Sequence, residues 1–216
     1  IGTLLKNPTE FRIPREDNKN FAEGRYFHQL ILEPDKAMQT LCVDVASRNS
    51  KAYKEFVSEN DVGVALLSKE CDNIVSMVDK IKSNIDFYDA INEPGNCYEQ
   101  PAVKEIKGHM WKGKADIINK DYLIDLKTTS DIQSFKWSIL KYNYNSQAYI
   151  YQQLFGKPLV FFVIDKTTHQ LGMFRLTDQT LRDGEEKVER AIEIYEKFFG
   201  DNPISDINNY YIEETI

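Results

Sequence analysis

The chain has 216 residues and a formal net charge of −7, with 42% hydrophobic and 28% charged residues. This length can bury one sizeable core, so we expect a single domain over residues 1–216. Its predicted parts are a helical region to about residue 95, a core at about 96–199 and a tail at 200–216. The negative charge counts against a protein that simply coats nucleic acid. No run of 18 apolar residues is present, so no membrane span is predicted.

The three cysteines, Cys42, Cys71 and Cys97, are widely spaced and form no CxxC pair. A sparse, odd set favours a reducing compartment over a disulfide framework. It also offers no thiolate cluster for zinc or for an iron–sulfur group. The cysteines therefore predict a protein of the cytoplasm.

Helical patterns dominate the first 95 residues. Residues 21–33 are predicted to form a helix that ends before Pro34. Residues 47–91 are predicted to be helical in pieces, because apolar residues recur there at three- and four-residue spacing. Glu93-Pro94-Gly95-Asn96 then interrupts the pattern.

Short strands follow this interruption and later alternate with helices. That order predicts an α/β fold. The predicted elements are strands at 98–106, 109–119 and 121–127 with a turn at 119–121, a long helix at 134–155, strands at 159–164 and 170–176, and a helix at 178–199.

An acidic residue two positions before a lysine occurs four times in the chain, so this tripeptide alone carries little information. Only Asp125-Leu126-Lys127 combines a preceding apolar run with a second acid, Asp116, on the neighbouring predicted strand. If the turn is centred on Lys120-Asp121, Asp116 lies opposite Asp125, with Cβ atoms about 4.5–5.5 Å apart. Side chains alternate along a strand, so Asp125 and Lys127 share one face.

Two carboxylates and an ammonium group on one patch of sheet predict a site for a hard divalent cation. Mg²⁺ prefers oxygen ligands, and the two carboxylates would repel each other without a positive charge between them. The alternative, which residue types alone leave open, is a solvated hairpin with surface charges.

The segment Gly113–Asp116, taken with Leu123–Thr129, resembles the PD-(D/E)XK nuclease signature. "GKAD" followed by "IDLKTT" is especially similar to the RecE-type exonucleases of phages and prophages (exodeoxyribonuclease VIII). Residues 147–151 resemble the QxxxY motif of RecB- and RecE-like nucleases, and residues 24–34 resemble an early helix of the RecE group. The resemblance covers about residues 21–199.

The resemblance implies a restriction-endonuclease-like core, with a central mixed sheet flanked by helices. Asp116 and Asp125 would be metal ligands, and Lys127 would be the catalytic lysine. His28 and the carbonyl of Leu126 would be further ligands. A lone histidine on a helix is more often structural, but a site that contains one accepts Mn²⁺ as well as Mg²⁺.

The resemblance also implies a further acid before Asp116 and residues that contact DNA. Both Glu99 and Glu105 qualify as the acid, with Glu99 preferred. The resemblance gives DNA contacts to Gln147 and Tyr151. From the residues themselves we expect further contacts by Tyr144 and Lys141, on the same side of that predicted helix, and by Arg25.

The implied function is a Mg²⁺-dependent exonuclease that digests linear double-stranded DNA from the 5′ end in a bacterial or phage-infected cell. The remaining 3′ single strand would pass to an annealing protein in phage-type recombination. A homo-oligomeric ring is implied, with Lys136, Lys141 and Arg25 lining a positive channel. The alternatives are a structure- or site-specific endonuclease on the same fold, or an inactive DNA-binding or assembly module.

Overall fold

The structure, a computed structural model, describes residues 1–213. Within these residues, no helix is both long and apolar enough to cross a membrane. The helices are α1 (Gly2–Lys6), α2 (Lys19–Leu32), α3 (Pro34–Ala37), α4 (Lys51–Glu59), α5 (Ser68–Ser83), α6 (Ile85–Asn92), α7 (Phe135–Lys141), α8 (Tyr144–Phe155) and α9 (Asp178–Phe199). The strands are β1 (Cys42–Val43), β2 (Leu66–Leu67), β3 (Cys97–Ile106), β4 (His109–Ile118), β5 (Leu123–Thr129), β6 (Leu159–Asp165) and β7 (Leu171–Arg175).

Five strands form a mixed sheet in the order β3-β4-β5-β6-β7. β5 and β6 are parallel, and the other neighbours are antiparallel. A parallel pair needs a crossover connection, which α7 and α8 provide. β1 and β2 form a separate parallel pair. The prediction of an α/β fold with a central mixed sheet flanked by helices is confirmed.

Helices cover both faces of this sheet. On one face, Ile124, Leu126 and Phe162 are buried against α2, α5 and α6. On the other, Leu123 and Phe161 pack against α7 and α8. Burying a large apolar side chain stabilises the fold by about 1.5–3 kcal/mol. The alternate residues of β5 therefore anchor this strand between two cores.

The β4–β5 hairpin has the predicted register. Ile117 pairs with Ile124, and Ile118 pairs with Leu123. The backbone N–H of Asn119 donates to the carbonyl of Tyr122 at 2.9 Å and closes the turn. Extended by one residue, this register places position 116 opposite position 125.

The predicted single helix at 134–155 is wrong. Two helices replace it, and Tyr142 and Asn143 lie between them. Asn143 has a φ of 58°, in the left-handed region that Asn tolerates better than most residues. This corner redirects α8, so that its first turn faces the sheet beside β5.

The cysteines also depart from the expectation. Cys42 of β1 and Cys71 of α5 form a disulfide, and Cys97 is exposed. Their spacing of 29 residues gave no sign of the pairing, because β1 is brought to α5 only by its pairing with β2.

Candidate functional site

β4 separates from both of its neighbours at Asp116. Its pairing with β5 stops after Ile117–Ile124, and its ladder with β3 lacks the pair between positions 99 and 116. The side chains also change sides here, because Ala115 packs in the core under α8 and Ile117 in the opposite core. The Asp116 carboxylate fills the gap by accepting the N–H of Leu126 at 2.8 Å. We call this separation of β4 from β5 at Asp116 the fork. It places a buried acid between the two strands.

Glu99 of β3 lies opposite Asp116. Its φ is 52°, a left-handed conformation that is unusual within a strand and costs about 1–3 kcal/mol in a non-glycine residue. Lys114 forms an ion pair with its carboxylate. Glu105, the other acid considered on this strand, is exposed and pairs with Met110 far along the hairpin. Of the two acids, only Glu99 reaches the fork.

His28 approaches the fork from α2. Its Nε2 lies 2.8 Å from the carbonyl oxygen of Leu126, and its Nδ1 lies 3.4 Å from Asp116 Oδ2. Burial opposes a charged imidazole, but the hydrogen bond and the charge of Asp116 outweigh it, so the pKa of His28 is raised. Nε2 is within hydrogen-bond distance of the Leu126 carbonyl, whereas Nδ1 is at ion-pair distance from Asp116. The Leu126 carbonyl, expected as a metal ligand, is therefore engaged by His28.

Asp125 and Lys127 lie on the neighbouring strand, β5. Lys127 Nζ is 2.5 Å from Asp125 Oδ2, and Gln147 donates to Asp125 Oδ1 at 2.5 Å. Complete burial raises the pKa of the Asp125 carboxyl, although Lys127 opposes the shift. Gln147 thus holds a site carboxylate directly, a contact that sequence reasoning did not predict.

Two tyrosines of α8 support this arrangement. The ring of Tyr144 lies beneath Lys127, with 4.9 Å between Nζ and the ring centroid. The hydroxyl of Tyr151 donates to the Lys114 carbonyl at 2.9 Å. Gly113 permits this contact, because a Cβ there would come within 3.0 Å of the Tyr151 ring.

Three of these residues could hold a metal ion. His28, Glu99 and Asp116 each offer a ligand atom within 4.8 Å of the others. Asp125 is outside this set, but its Oδ2 is buried and has no hydrogen-bond partner among residues 1–213, because Lys127 is close without the geometry of a hydrogen bond. Oxygen donors with one imidazole suit Mg²⁺ or Mn²⁺. The fork is therefore a candidate centre for a divalent cation.

Two residues expected to contact DNA lie elsewhere. Arg25 is on α2 but forms an ion pair with Asp17 at 2.6 Å. Lys141 is at the exposed end of α7, beside the Tyr142 ring. Lys114, which sequence reasoning did not select, does reach the fork. The alternation of β4 could have identified it, because residues 114 and 116 share a face.

A mixed sheet with two acids and a lysine at the fork of two antiparallel strands is the arrangement of the PD-(D/E)XK class. Residues 5–202 match the family described as "PDDEXK-like domain of unknown function (DUF3799)". The chain belongs to this family. No curated protein matches the sequence.

Two solved structures are similar to the chain. The first is the crystal structure of a candidate exonuclease from Eubacterium rectale, with a TM-score of 0.62 and 18% identity over 97% of this chain and 81% of that one. The second, the crystal structure of SSO0001, has a TM-score of 0.34 and 15% identity over 81% and 85% of the two chains. At 18% identity, the Eubacterium rectale structure supports the fold of this chain alone.

Proposed function

We propose that this protein is a metal-dependent deoxyribonuclease that hydrolyses phosphodiester bonds. The convergence of three acids, an imidazole and two lysines at the β4–β5 fork carries the proposal. Two of the acids are almost fully buried, which is costly unless a cation or hydrogen bonds compensate the charge. Because burying these charges costs folding free energy, a catalytic role explains the cluster better than a role in stability.

His28, Glu99 and Asp116 would hold the metal ion, with Asp125 beside them. When bound, a divalent cation such as Mg²⁺ or Mn²⁺ stabilises charge on a phosphoryl oxygen and activates water. In this structure, Lys114 neutralises Glu99 and Lys127 neutralises Asp125.

Lys127 would act on the scissile phosphate. Its side chain is 19% exposed, and the centroid of the Tyr144 ring lies 4.9 Å from its ammonium nitrogen. A fixed ammonium group can donate to a phosphate oxygen and offset the negative charge that develops there. Gln147 would keep Asp125 in place, since its amide holds Oδ1.

More specifically, we propose that the protein is a cytoplasmic exonuclease that digests linear double-stranded DNA from the 5′ end in phage-type recombination. The resemblance of the GKAD and IDLKTT segments to RecE-type enzymes supports it, as does the description of the Eubacterium rectale protein. Several copies would form a ring around the duplex and leave a 3′ strand for an annealing protein. The net charge of −7 does not oppose this arrangement, because only an inner surface need be positive.

The test incubates the protein and Mg²⁺ with 5′-phosphorylated linear duplex or with closed circular duplex. We expect loss of the linear substrate only, complete inhibition by EDTA, and a rate lower by about tenfold to a hundredfold for Asp125→Asn. Glu105→Gln, on β3 and outside the fork, should keep the wild-type rate.

The proposed nuclease activity fails if the wild-type protein cuts neither substrate or if Asp125→Asn cuts as fast. Equal cutting of the closed circle would contradict the exonuclease mode and favour the endonuclease. End-labelled duplexes report the direction, and sedimentation velocity reports assembly. A monomer with and without DNA would contradict the ring.

A further inference from the structure

A cleft of about 570 Å³ opens on the Lys127 side of the fork. α2 forms one wall, and the corner between α7 and α8 forms the other. Leu126 and Lys127 of β5 lie at its base. The volume falls within the range of about 300–1,000 Å³ found for small-molecule sites. The cleft is therefore large enough for a nucleotide next to the candidate metal centre.

The charges of this cleft suit an anion. The chain has 34 acidic residues among 216, yet none of the described residues that line the cleft is Asp or Glu. Lys127 and Lys166 both line it, and each also pairs with a carboxylate outside the lining, Asp125 and Glu23 respectively. In an acidic protein, a surface without carboxylates and with two lysines favours a phosphate-bearing ligand.

Aromatic rings mark the opening of the cleft. Phe21 of α2 is 48% exposed and Tyr142 of the corner is 55% exposed. Tyr144 lines the cleft below them, beside Lys127. Aromatic side chains that line a cationic groove can stack on nucleobases of any sequence. The rings thus complement the lysines, because a nucleotide has a flat base as well as a phosphate.

Gly24 provides an independent observation. It lies inside α2 one turn before His28, where glycine is less favourable than alanine by about 1 kcal/mol. A Cβ at Gly24 would meet no described atom within 4 Å, whereas one at Gly184 of α9 would meet the Asn145 carbonyl oxygen at 2.3 Å. Packing explains Gly184 but not Gly24. Because Gly24 lines the cleft, its missing side chain widens the space.

We propose that this cleft binds one nucleotide of the substrate strand, with its base against Tyr142 and its phosphate near Lys127. The inference rests on the proposed function, because it places the nucleotide beside the phosphate to be cut. It adds a residue-level account of how the strand is held. The contacts are base stacking and charge, so binding does not require the metal ion.

The experiment measures the binding of thymidine 5′-monophosphate and of a fluorescent octathymidylate to the full chain in EDTA, where no cleavage occurs. Tyr142→Ala should weaken octathymidylate binding by about fivefold to a hundredfold, the loss expected for one stacked base. Tyr142→Phe should retain binding. Tyr88→Ala, which removes a tyrosine of similar exposure on α6, should have no effect.

Two substitutions of Gly24 give a second test, one that measures stability and one that measures binding. Gly24→Ala should raise the melting temperature, because alanine favours the helix and meets no obstacle. Gly24→Leu should fill the cleft and weaken the binding of both probes at least tenfold while the chain stays folded.

Unchanged binding by Gly24→Leu and Tyr142→Ala would overturn the subsite and leave the nuclease proposal standing. Loss of binding in these variants supports the subsite, even if the wild-type protein cleaves no DNA and the nuclease proposal fails. Absence of binding by the wild-type chain overturns the subsite.

Discussion

Glu70 of α5 is bound by three other groups of the chain. Its carboxylate accepts two hydrogen bonds from Arg48, at 2.8 and 2.5 Å, and one from the N–H of Leu67 at 2.9 Å. Lys19 Nζ lies 3.1 Å away. Burial disfavours the charged form, but these partners outweigh it and lower the pKa of Glu70 from 4.5 to about 2. The ionised carboxylate therefore stabilises the fold.

Glu70→Gln should lower the free energy of unfolding by about 2 kcal/mol at pH 7. The shift alone corresponds to about 3 kcal/mol, and solvent screening of half-exposed Lys19 reduces this value. Because the folded pKa is depressed, the stabilisation is complete above about pH 4.5 and is lost as the pH falls toward 2. Urea unfolding between pH 7 and pH 3 measures it.

The control is Glu55→Gln, which removes half of an exposed pair with Lys51. We expect a change below about 0.5 kcal/mol at every pH. A wild-type protein and a Glu70→Gln variant with the same stability at pH 7 would refute the assignment.

Single residues of the site were predictable to different degrees. The opposition of Asp116 and Asp125 follows from turn position and strand alternation, which are local properties. The contact of Gln147 with Asp125 could not be predicted, because it depends on the direction of α8 after Asn143. The hydrogen bond between His28 and Leu126 depends likewise on how α2 packs against β5.

Among the helices, α9 fixes the position of α8 through a close backbone contact. A Cβ at Gly184 would lie 2.3 Å from the Asn145 carbonyl oxygen. Backbone cannot move aside as a flexible side chain can. We therefore expect Gly184→Ala to lower the free energy of unfolding by about 1–3 kcal/mol, despite the better helix propensity of alanine.

Thermal unfolding of Gly184→Ala, with Gly24→Ala as the matched helix glycine, measures this effect. The two variants should move the melting temperature in opposite directions. A higher melting temperature for both would show that α8 and α9 are not in close contact.

Most elements were predictable because they carry a clear period. The alternation of the hairpin and the three- and four-residue spacing of α9 arise from single sequence segments. The division between α7 and α8 was missed, since one left-handed asparagine breaks a helix without changing its apolar pattern. β1 and β2 were missed because two-residue strands show no period.

At the scale of the whole molecule, a disulfide joins Cys42 of β1 to Cys71 of α5. The bond closes a loop of about 30 residues, for which the entropic contribution is about 3.6 kcal/mol. Cys42→Ser should lower the free energy of unfolding by about this amount in oxidising buffer. In excess dithiothreitol the variant and the wild-type protein should be equally stable.

Guanidinium titrations of both proteins in the two buffers provide the measurement, and Cys97→Ser is the control for loss of an unpaired thiol. Equal stability of Cys42→Ser and the wild-type protein in oxidising buffer would contradict a stabilising disulfide.

The fold class was predictable at this scale because the order of elements admits few arrangements. The disulfide and the cleft were not, since each joins segments that are distant in sequence. The cleft brings together α2, the end of β5 and the α7–α8 corner, whose spacing no local pattern encodes.

The left-handed backbone of Glu99 sets stability against chemistry at a single position. Glycine would adopt this φ with little strain, but it would remove the carboxylate from the fork. Mutational drift that preserves only folding would therefore favour glycine at residue 99. Under the proposed function, an acid at residue 99 would be kept for the metal site and not for folding.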